Sequence, residues 1–203
     1  MISICIGRQL GSGGSSIAQS IADQLGFRYC DSEVINEASV KSGLSRKVFE
    51  KTDEERSTFS SILTSIIPFV GNVDFYGNNV DEEKLFRFLS QTINDFAERD
   101  NCVFVGRCAE YILRKKPDMV SIFVSADIAD RVERIAKLRN VTPEVAKKII
   151  TQNDRRRANF HDFYSSNQWG HAATYDLCIN TSRLGQEAST DIIMNFIRQR
   201  FGL

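Results

Sequence analysis

The chain reads as an α/β protein built on a parallel sheet, and three features of the sequence say so. Five short apolar runs, Ile2–Ile6, Phe27–Cys30, Cys102–Val105, Val120–Val124 and Leu177–Ile179, have the continuous pattern of strands buried on both faces. Segments of helical period separate them, and strands joined by helical crossovers pair in parallel under two layers of helix. The first run passes through a Gly/Ser-rich turn directly into a helix, which places backbone N–H groups at a helix N-terminus. With 203 residues and 42% hydrophobic content, the sequence predicts a single domain over 1–203 with its own core.

The elements follow in order. Ile17, Ala18, Ile21, Ala22 and Leu25 repeat on one helical face after the first strand. After the second strand, residues 32–56 read as two helical pieces broken near Gly43, with Ser45 as an N-cap. Residues 57–80 are rich in Ser, Gly and Asn and hold no sustained period, which marks a functional or mobile element. Asp81, Glu82 and Glu83 then open a helix whose apolar face is Leu85, Leu89, Ile93, Phe96 and Ala97. Gly106-Arg107 and a short helix to about Arg114 follow the third strand. Two helices follow the fourth, from about Asp127 to Arg139 and from Pro143 past Arg157, the latter capped by Thr142. Ile192, Ile193, Phe196 and Ile197 mark a last helix.

Charge narrows the function classes. Twenty-six Lys and Arg balance 26 Asp and Glu, which argues against a mainly electrostatic binder of nucleic acid or anionic membrane. No apolar run is long enough to span a bilayer, and the N-terminus lacks a signal pattern. Cys5, Cys30, Cys102, Cys108 and Cys178 form no C-x-x-C pair, and an odd number suits neither a disulfide framework nor a structural zinc site. They read as free thiols, and the expected location is the cytoplasm.

The loop is the strongest chemical signal. Gly7-Arg8-Gln9-Leu10-Gly11-Ser12-Gly13-Gly14-Ser15-Ser16 links strand to helix, and glycines there let the backbone approach an anion closely. Aligned on G-x-x-x-x-G-K-[ST], Gly13 and Ser15 match, Arg8 stands at the first glycine and Gly14 at the lysine. The expected nucleotide-binding residues are Gly11, Ser12, Gly13, Gly14, Ser15 and Ser16. Three candidates can stand in for the lysine's role: Arg8, an arginine arriving on closure, or nothing, in which case nucleotide binds without efficient turnover.

Together with the loop, several motifs resemble the cytidylate kinase-like family of P-loop proteins over nearly the full length. They are Tyr29-Cys30-Asp31, Val105-Gly106-Arg107, Asp154 to Arg157, Trp169-Gly170, and Tyr175-Asp176-Leu177-Cys178-Ile179-Asn180-Thr181-Ser182. The resemblance implies a P-loop NTPase-type three-layer fold with a five-stranded parallel sheet, a helical acceptor-binding insertion at 32–80 and a helical lid at 143–170. It implies ATP-dependent phosphoryl transfer to a nucleoside monophosphate, CMP or dCMP first, with ATP and Mg2+ bound. In cytidylate kinase a G-R-D motif follows a core strand; here Gly106 and Arg107 match and Cys108 replaces the acid. Asp154 and Arg157 have the spacing of that family's D-S-x-R lid motif, and Asp31 resembles its acid after the second strand.

These residue types suit the chemistry, because phosphoryl transfer is catalysed by alignment and charge neutralisation and a guanidinium fork grips phosphate at two points. Arg8, Arg107 and Arg157 are the catalytic candidates; Asp31, Arg107, Asp154 and Arg157 are the acceptor-binding ones. Arg155, Arg156 and Arg157 are consecutive on a helix, so they fan apart and only one or two face a phosphate. Arg131 and Arg134 share a helix face as further lid-side cations, or simply as a surface pair. No strand ends in a metal-binding acid, so magnesium would rest on Ser15, the phosphates and water, with Asp31 and Asp127 in reserve. His161 and His171 read as ordinary polar residues. Trp169 with Phe160, Phe163 and Tyr164 reads as lid packing rather than a base platform.

Two other functions fit the same residues. Gly14, Cys108 and the missing strand-end acid suit a nucleotide-binding regulatory protein with little kinase activity. The lack of recognisable acceptor motifs in 32–80 suits a kinase for a non-nucleotide small molecule. Ile62, Ile66, Ile67 and Phe69 make 57–80 either a fold-over lid or a homodimer surface.

Overall fold

The computed structural model describes residues 1–43 and 82–203. All five apolar runs are strands: β1 (Ser3–Arg8), β2 (Arg28–Cys30), β3 (Cys102–Val105), β4 (Met119–Ser125) and β5 (Leu177–Asn180). They pair only in parallel, in the order β2-β3-β1-β4-β5. The helices are α1 (Gly14–Leu25), α2 (Ser32–Ser42), α3 (Glu82–Arg99), α4 (Ala109–Ile112), α5 (Ile128–Arg139), α6 (Pro143–Ser165) and α7 (Thr181–Phe201), with a 3-10 turn at Ala172–Thr174.

Side-chain alternation along the strands divides the core into two layers. Ile4 lies opposite Val103 and Val120, and Ile6 opposite Val105 and Ile122. These pack against Ile17 and Ile21 of α1 and Ile193 and Ile197 of α7. The intervening Cys5, Cys30 and Phe104 face the other way, onto Val34 of α2 and Leu89, Ile93 and Phe96 of α3. Each buried Ile or Phe contributes roughly 1.5–3 kcal/mol, so both layers hold the sheet firmly. A smaller cluster, Ile135, Ala146 and Ile150 with Leu10 against it, joins α5 and α6 to the loop after β1.

Helix ends follow local chemistry. Gly26 and Gly43 stop α1 and α2 in left-handed conformations, φ 66° and 69°. Thr142 accepts the Val145 N–H at 3.4 Å and Pro143 opens α6.

Two boundaries differ from the sequence reading. β1 continues through Gly7 and Arg8, which pair with Phe123 and Val124, so Arg8 is the last strand residue rather than a loop residue. The glycine does not break the strand because the β4 ladder runs past it. The last helix begins at Thr181, directly after β5, because the Asn180 side chain accepts the Ser182 N–H at 2.9 Å. Gly185, at φ 77°, then kinks it. The second helical piece with Ser45, and the 57–80 segment with its dimer or lid candidates, lie outside the described residues.

All five cysteines are free; four are buried and Cys178 is exposed. Among the described residues no helix is long and apolar enough to cross a membrane, and no cluster of His, Cys, Asp and Glu could hold a metal ion.

Candidate functional site

The loop after β1 has its carbonyls bonded to groups of the protein. Gly11 and Gly13 adopt φ 82° and 84°, a conformation that costs other residues about 1–2 kcal/mol each. The Ser12 hydroxyl, buried, donates to the Gln9 carbonyl at 2.8 Å and accepts the Gly14 N–H at 3.3 Å. Four successive protein groups then take the loop's carbonyls. Arg157 donates to Arg8 at 3.1 Å, Arg131 to Leu10 at 3.4 Å, Arg134 to Gly11 at 3.1 Å, and the Thr181 hydroxyl to Ser12 at 2.8 Å. The N-cap Gly13 has no side chain, so beyond Gly14, whose N–H goes to Ser12, the first-turn N–H groups of α1 remain for an anion. The adjoining cleft, about 630 Å³, is lined by Gly13, Gly14, Ser15, Ser16, Arg8 and Arg157, with apolar Ile135 and Leu138 on its α5 wall. A pocket with a basic, amide-rich end and an apolar end is suited to a nucleotide.

Arg8 and Gly14 are sterically coupled. A Cβ at Gly14 would lie 2.5 Å from the Cβ of Arg8 and 3.1 Å from that of Val124. A lysine at 14 and the Arg8 stem therefore compete for one space. Gly106 makes room for the other end, since a Cβ there would lie 2.2 Å from Arg8 Nη1. Burial lowers the Arg8 pKa, partly offset by the charges of Asp31 and Tyr29, and Arg8 Nε has no hydrogen-bond partner among the described residues. The guanidinium still stays charged at any physiological pH.

Asp31 joins two arginines. Its Oδ1 lies 4.0 Å from Nη2 of Arg8 and 4.0 Å from Nη2 of Arg107, and the Tyr29 hydroxyl lies 3.5 Å from its other oxygen. Arg107 reaches this point from a turn in which Gly106, Arg107 and Cys108 are all left-handed, at φ 71°, 62° and 55°. Arg157 is pushed down to about 10 by burial and then by the like charge of Arg8. Arg8 and Arg107 converge on Asp31, and Arg157 feels the charges of Asp154 and Asp31, so guanidinium groups gather where an anionic ligand would bind.

The α6 residues separate. Asp154 accepts the Leu10 N–H at 2.8 Å and pairs with Arg131, so its carboxylate ties α5 and α6 to the loop. Arg155 is exposed, Arg156 half-buried, and Arg157 turns onto the loop, as consecutive helical positions require. Ser15 is exposed at the cleft. Trp169 packs edge-on against Phe123 at 5.1 Å, and Tyr164 stacks on Phe86 at 3.8 Å with Phe160 beside it.

Two expectations need correcting. Arg131 and Arg134 are not a surface pair: Arg131 is 6% exposed, and both hold loop carbonyls from beneath. His161 is not an ordinary polar residue. It is 4% exposed, with Nε2 at 3.0 Å from Oε1 of buried Glu110 and Nδ1 at 3.0 Å from Oδ1 of Asp162.

Sequence reading missed Thr181, Glu110, Gly106 as the seat for Arg8, and Gln186. The Gln186 side chain lies against Gly13, where a Cβ would approach within 2.6 Å. A glycine directly before an arginine was the available signal for Gly106. The others contact the site from positions with no local pattern.

The sequence matches the cytidylate kinase-like family over residues 3–183. It is similar to the cytidylate kinase of Methanocaldococcus jannaschii, with 27% identity over 199 residues that cover 96% of each chain. The cytidylate kinase of Halobacterium salinarum is 23% identical over 188 residues, covering 92% of this chain and 84% of that one. Among solved structures, an uncharacterized protein from Eubacterium ventriosum superposes with a TM-score of 0.73 at 25% identity, covering 97% and 98% of the two chains. A shikimate kinase from Bacteroides thetaiotaomicron shares the fold, with a TM-score of 0.54 at 12% identity, covering 100% of this chain and 99% of that one.

Proposed function

The chain belongs to the cytidylate kinase-like family, and on that premise we propose that it transfers a phosphoryl group from ATP to a nucleoside monophosphate, CMP or dCMP first. One observation carries the reading. The Arg8 stem from the end of β1 fills the space beside Gly14, where the side chain of a P-loop lysine would start. Its guanidinium reaches on toward Gly106 and Asp31, which supports Arg8 as the cation that serves the cleft in the lysine's absence.

The residues divide the work. Ser12 and Gly14 spend their amides within the loop, so the donor phosphates are held by the remaining amides of the Gly11, Ser12, Gly13, Gly14, Ser15 and Ser16 segment. Their carbonyls are already bonded elsewhere, so little reorganisation is needed when charge develops. Arg8 stands between that loop and Asp31, where a transferring group would pass, and Arg157 lines the same cleft. Arg107 and Asp31 serve the acceptor side. Asp154, paired with Arg131, orients the loop through Leu10. Ser15 is the side chain suited to magnesium, which keeps most of its water and would neutralise phosphate charge when bound with the nucleotide.

The test is ADP release by the full chain with magnesium-ATP and CMP, dCMP, UMP, AMP, GMP or no acceptor. Turnover that depends on a pyrimidine monophosphate is expected. Turnover only with a non-nucleotide alcohol would replace the acceptor assignment. ATP protection against heat unfolding without turnover on any acceptor would make this a nucleotide-binding regulatory protein instead.

A further inference from the structure

The buried Glu110–His161 contact joins the two parts of the molecule that carry the acceptor-side arginines. Glu110 lies in the first turn of α4, three residues after Arg107; His161 lies on α6, one turn beyond Arg157. Glu110 is 7% exposed, and its Oε1 meets Nε2 of His161 at 3.0 Å. A carboxylate so buried needs a compensating charge or it becomes costly.

The turn it anchors is strained. Arg107 and Cys108 hold φ 62° and 55°, where residues other than glycine cost on the order of 1–3 kcal/mol each. Such a turn persists only if its surroundings over-determine it. Before it, Gly106 is fixed by its N–H to the Ile6 carbonyl at 3.0 Å. After it, the Ala109 N–H returns to Gly106 and α4 begins, with Glu110 clamped to His161.

His161 is itself held from several sides. Its Nδ1 faces Asp162 at 3.0 Å and the Ser165 hydroxyl at 3.2 Å, both on α6. Asp162 in turn accepts the Trp169 N–H at 2.6 Å. Tyr175 lies across the ring, centroids 6.4 Å apart. Among the described residues the other titratable neighbours are the thiols of Cys108 beside Glu110 and of Cys5 on β1, both pushed up by burial and then by Glu110, hence neutral, and Tyr175, pushed up the same way. Arg107 is the cation on the far side of Cys108. The 3.0 Å Glu110–His161 contact is an ion pair without hydrogen-bond alignment, so it attracts fully only when the imidazole is charged.

We propose that Glu110 and His161 are positioning residues for Arg107: the pair clamps the strained 106–108 turn to α6, and protonation of His161 tightens that clamp. The buried contact then helps to set Arg107 and Arg157 relative to one another, and loss of the proton loosens the acceptor side while the phosphate loop stays fixed.

The direct test does not depend on kinase activity. The Nε–H resonance of Arg107, assigned with Arg107→Lys, is followed by NMR from pH 5.5 to 9 beside the ring protons of His161. The Arg107 resonance is expected to shift with the His161 midpoint in the wild type and to stay flat in His161→Gln. An Arg107 resonance that ignores the His161 titration would overturn the proposal, and the wild-type titration decides even where a variant fails to fold. A second arm rests on the phosphoryl-transfer reading. There Glu110→Gln is expected to raise the acceptor KM about tenfold with the ATP KM unchanged, as loss of one buried charged partner would. Equal changes in both KM values would mean a merely structural role. Absence of turnover in the wild type would instead count against the kinase reading and leave the NMR result standing.

Discussion

Adjacent strands β1 and β3 both lead into Gly-Arg, and the two arginines meet the same oxygen of Asp31 at 4.0 Å. The backbones that deliver them are opposite in kind. Gly7 and Arg8 are still in the sheet, paired with Phe123 and Val124, and the Arg8 carbonyl is bonded to Arg157. Gly106 and Arg107 stand in left-handed conformations beyond the end of β3, where the Gly106 N–H to Ile6, a short helix and the buried Glu110–His161 pair brace them. A ladder position is cheap and rigid; a strained turn is costly and depends on its anchor. The phosphate side is therefore built into the sheet, while the acceptor side is held by a contact that can loosen.

The largest difference should appear in catalysis. Arg8→Ala is expected to lower kcat by about 10²–10³-fold, the usual cost of removing a preorganised electrostatic group. Arg107→Ala should mainly raise the acceptor KM, and steady-state kinetics with both substrates varied separates the two. A uniform loss in both variants would erase the distinction between the sides.

Next comes the glycine that seats Arg8. Gly106→Ala puts a methyl group within 2.2 Å of Arg8 Nη1 at φ 71°, so a loss of about 2 kcal/mol in urea denaturation is expected. Replacing each arginine by glycine should then give stability changes of opposite sign. Arg107→Gly relieves a left-handed residue and should stabilise the fold by about 1 kcal/mol while impairing acceptor use. Arg8→Gly in an extended strand should destabilise it by about 0.5–1 kcal/mol. Changes of the same sign in both would show that the turn is not strained.

The smallest effect is on pH. Burial lowers the His161 pKa, but the adjacent carboxylates of Glu110 and Asp162 outweigh it, and the net shift is upward. A raised folded-state pKa adds stability that is complete below the unfolded value of about 6.5 and is lost as pH rises through the folded value. Wild type should lose more melting temperature than His161→Gln between pH 6 and 8. Parallel curves would deny His161 that contribution.

Much of this could be read in the sequence, and the physics explains which part. Five buried strands announce themselves as apolar runs, and Gly26, Gly43 and Thr142 mark helix ends by purely local chemistry. The glycine-rich loop and its arginine were legible for the same reason. What fixes the loop was not. Its carbonyls are taken by Arg131, Arg134, Arg157 and Thr181, all more than 120 residues away, and a helical i, i+3 arginine pair looks the same whether it lies on the surface or under a loop. Glu110 and His161 were invisible for a similar reason, because burial of each depends on the packing of α4 against α6. Arg8 was misplaced by one element because a glycine before it resembles a strand end, although the β4 ladder continues past it.

The measurement that bears most directly on the role of Arg8 is acceptor-dependent ADP release by four proteins: wild type, Arg8→Gly, Gly14→Lys and the double variant Arg8→Gly/Gly14→Lys. Each single change should abolish most turnover, the first by removing the cation and the second by forcing two stems into one space. The double variant should recover activity well above either single one, since it restores the lysine in the place Arg8 vacates. Full turnover in Arg8→Gly, or a double variant no better than its parents, would contradict the exchange of lysine for arginine.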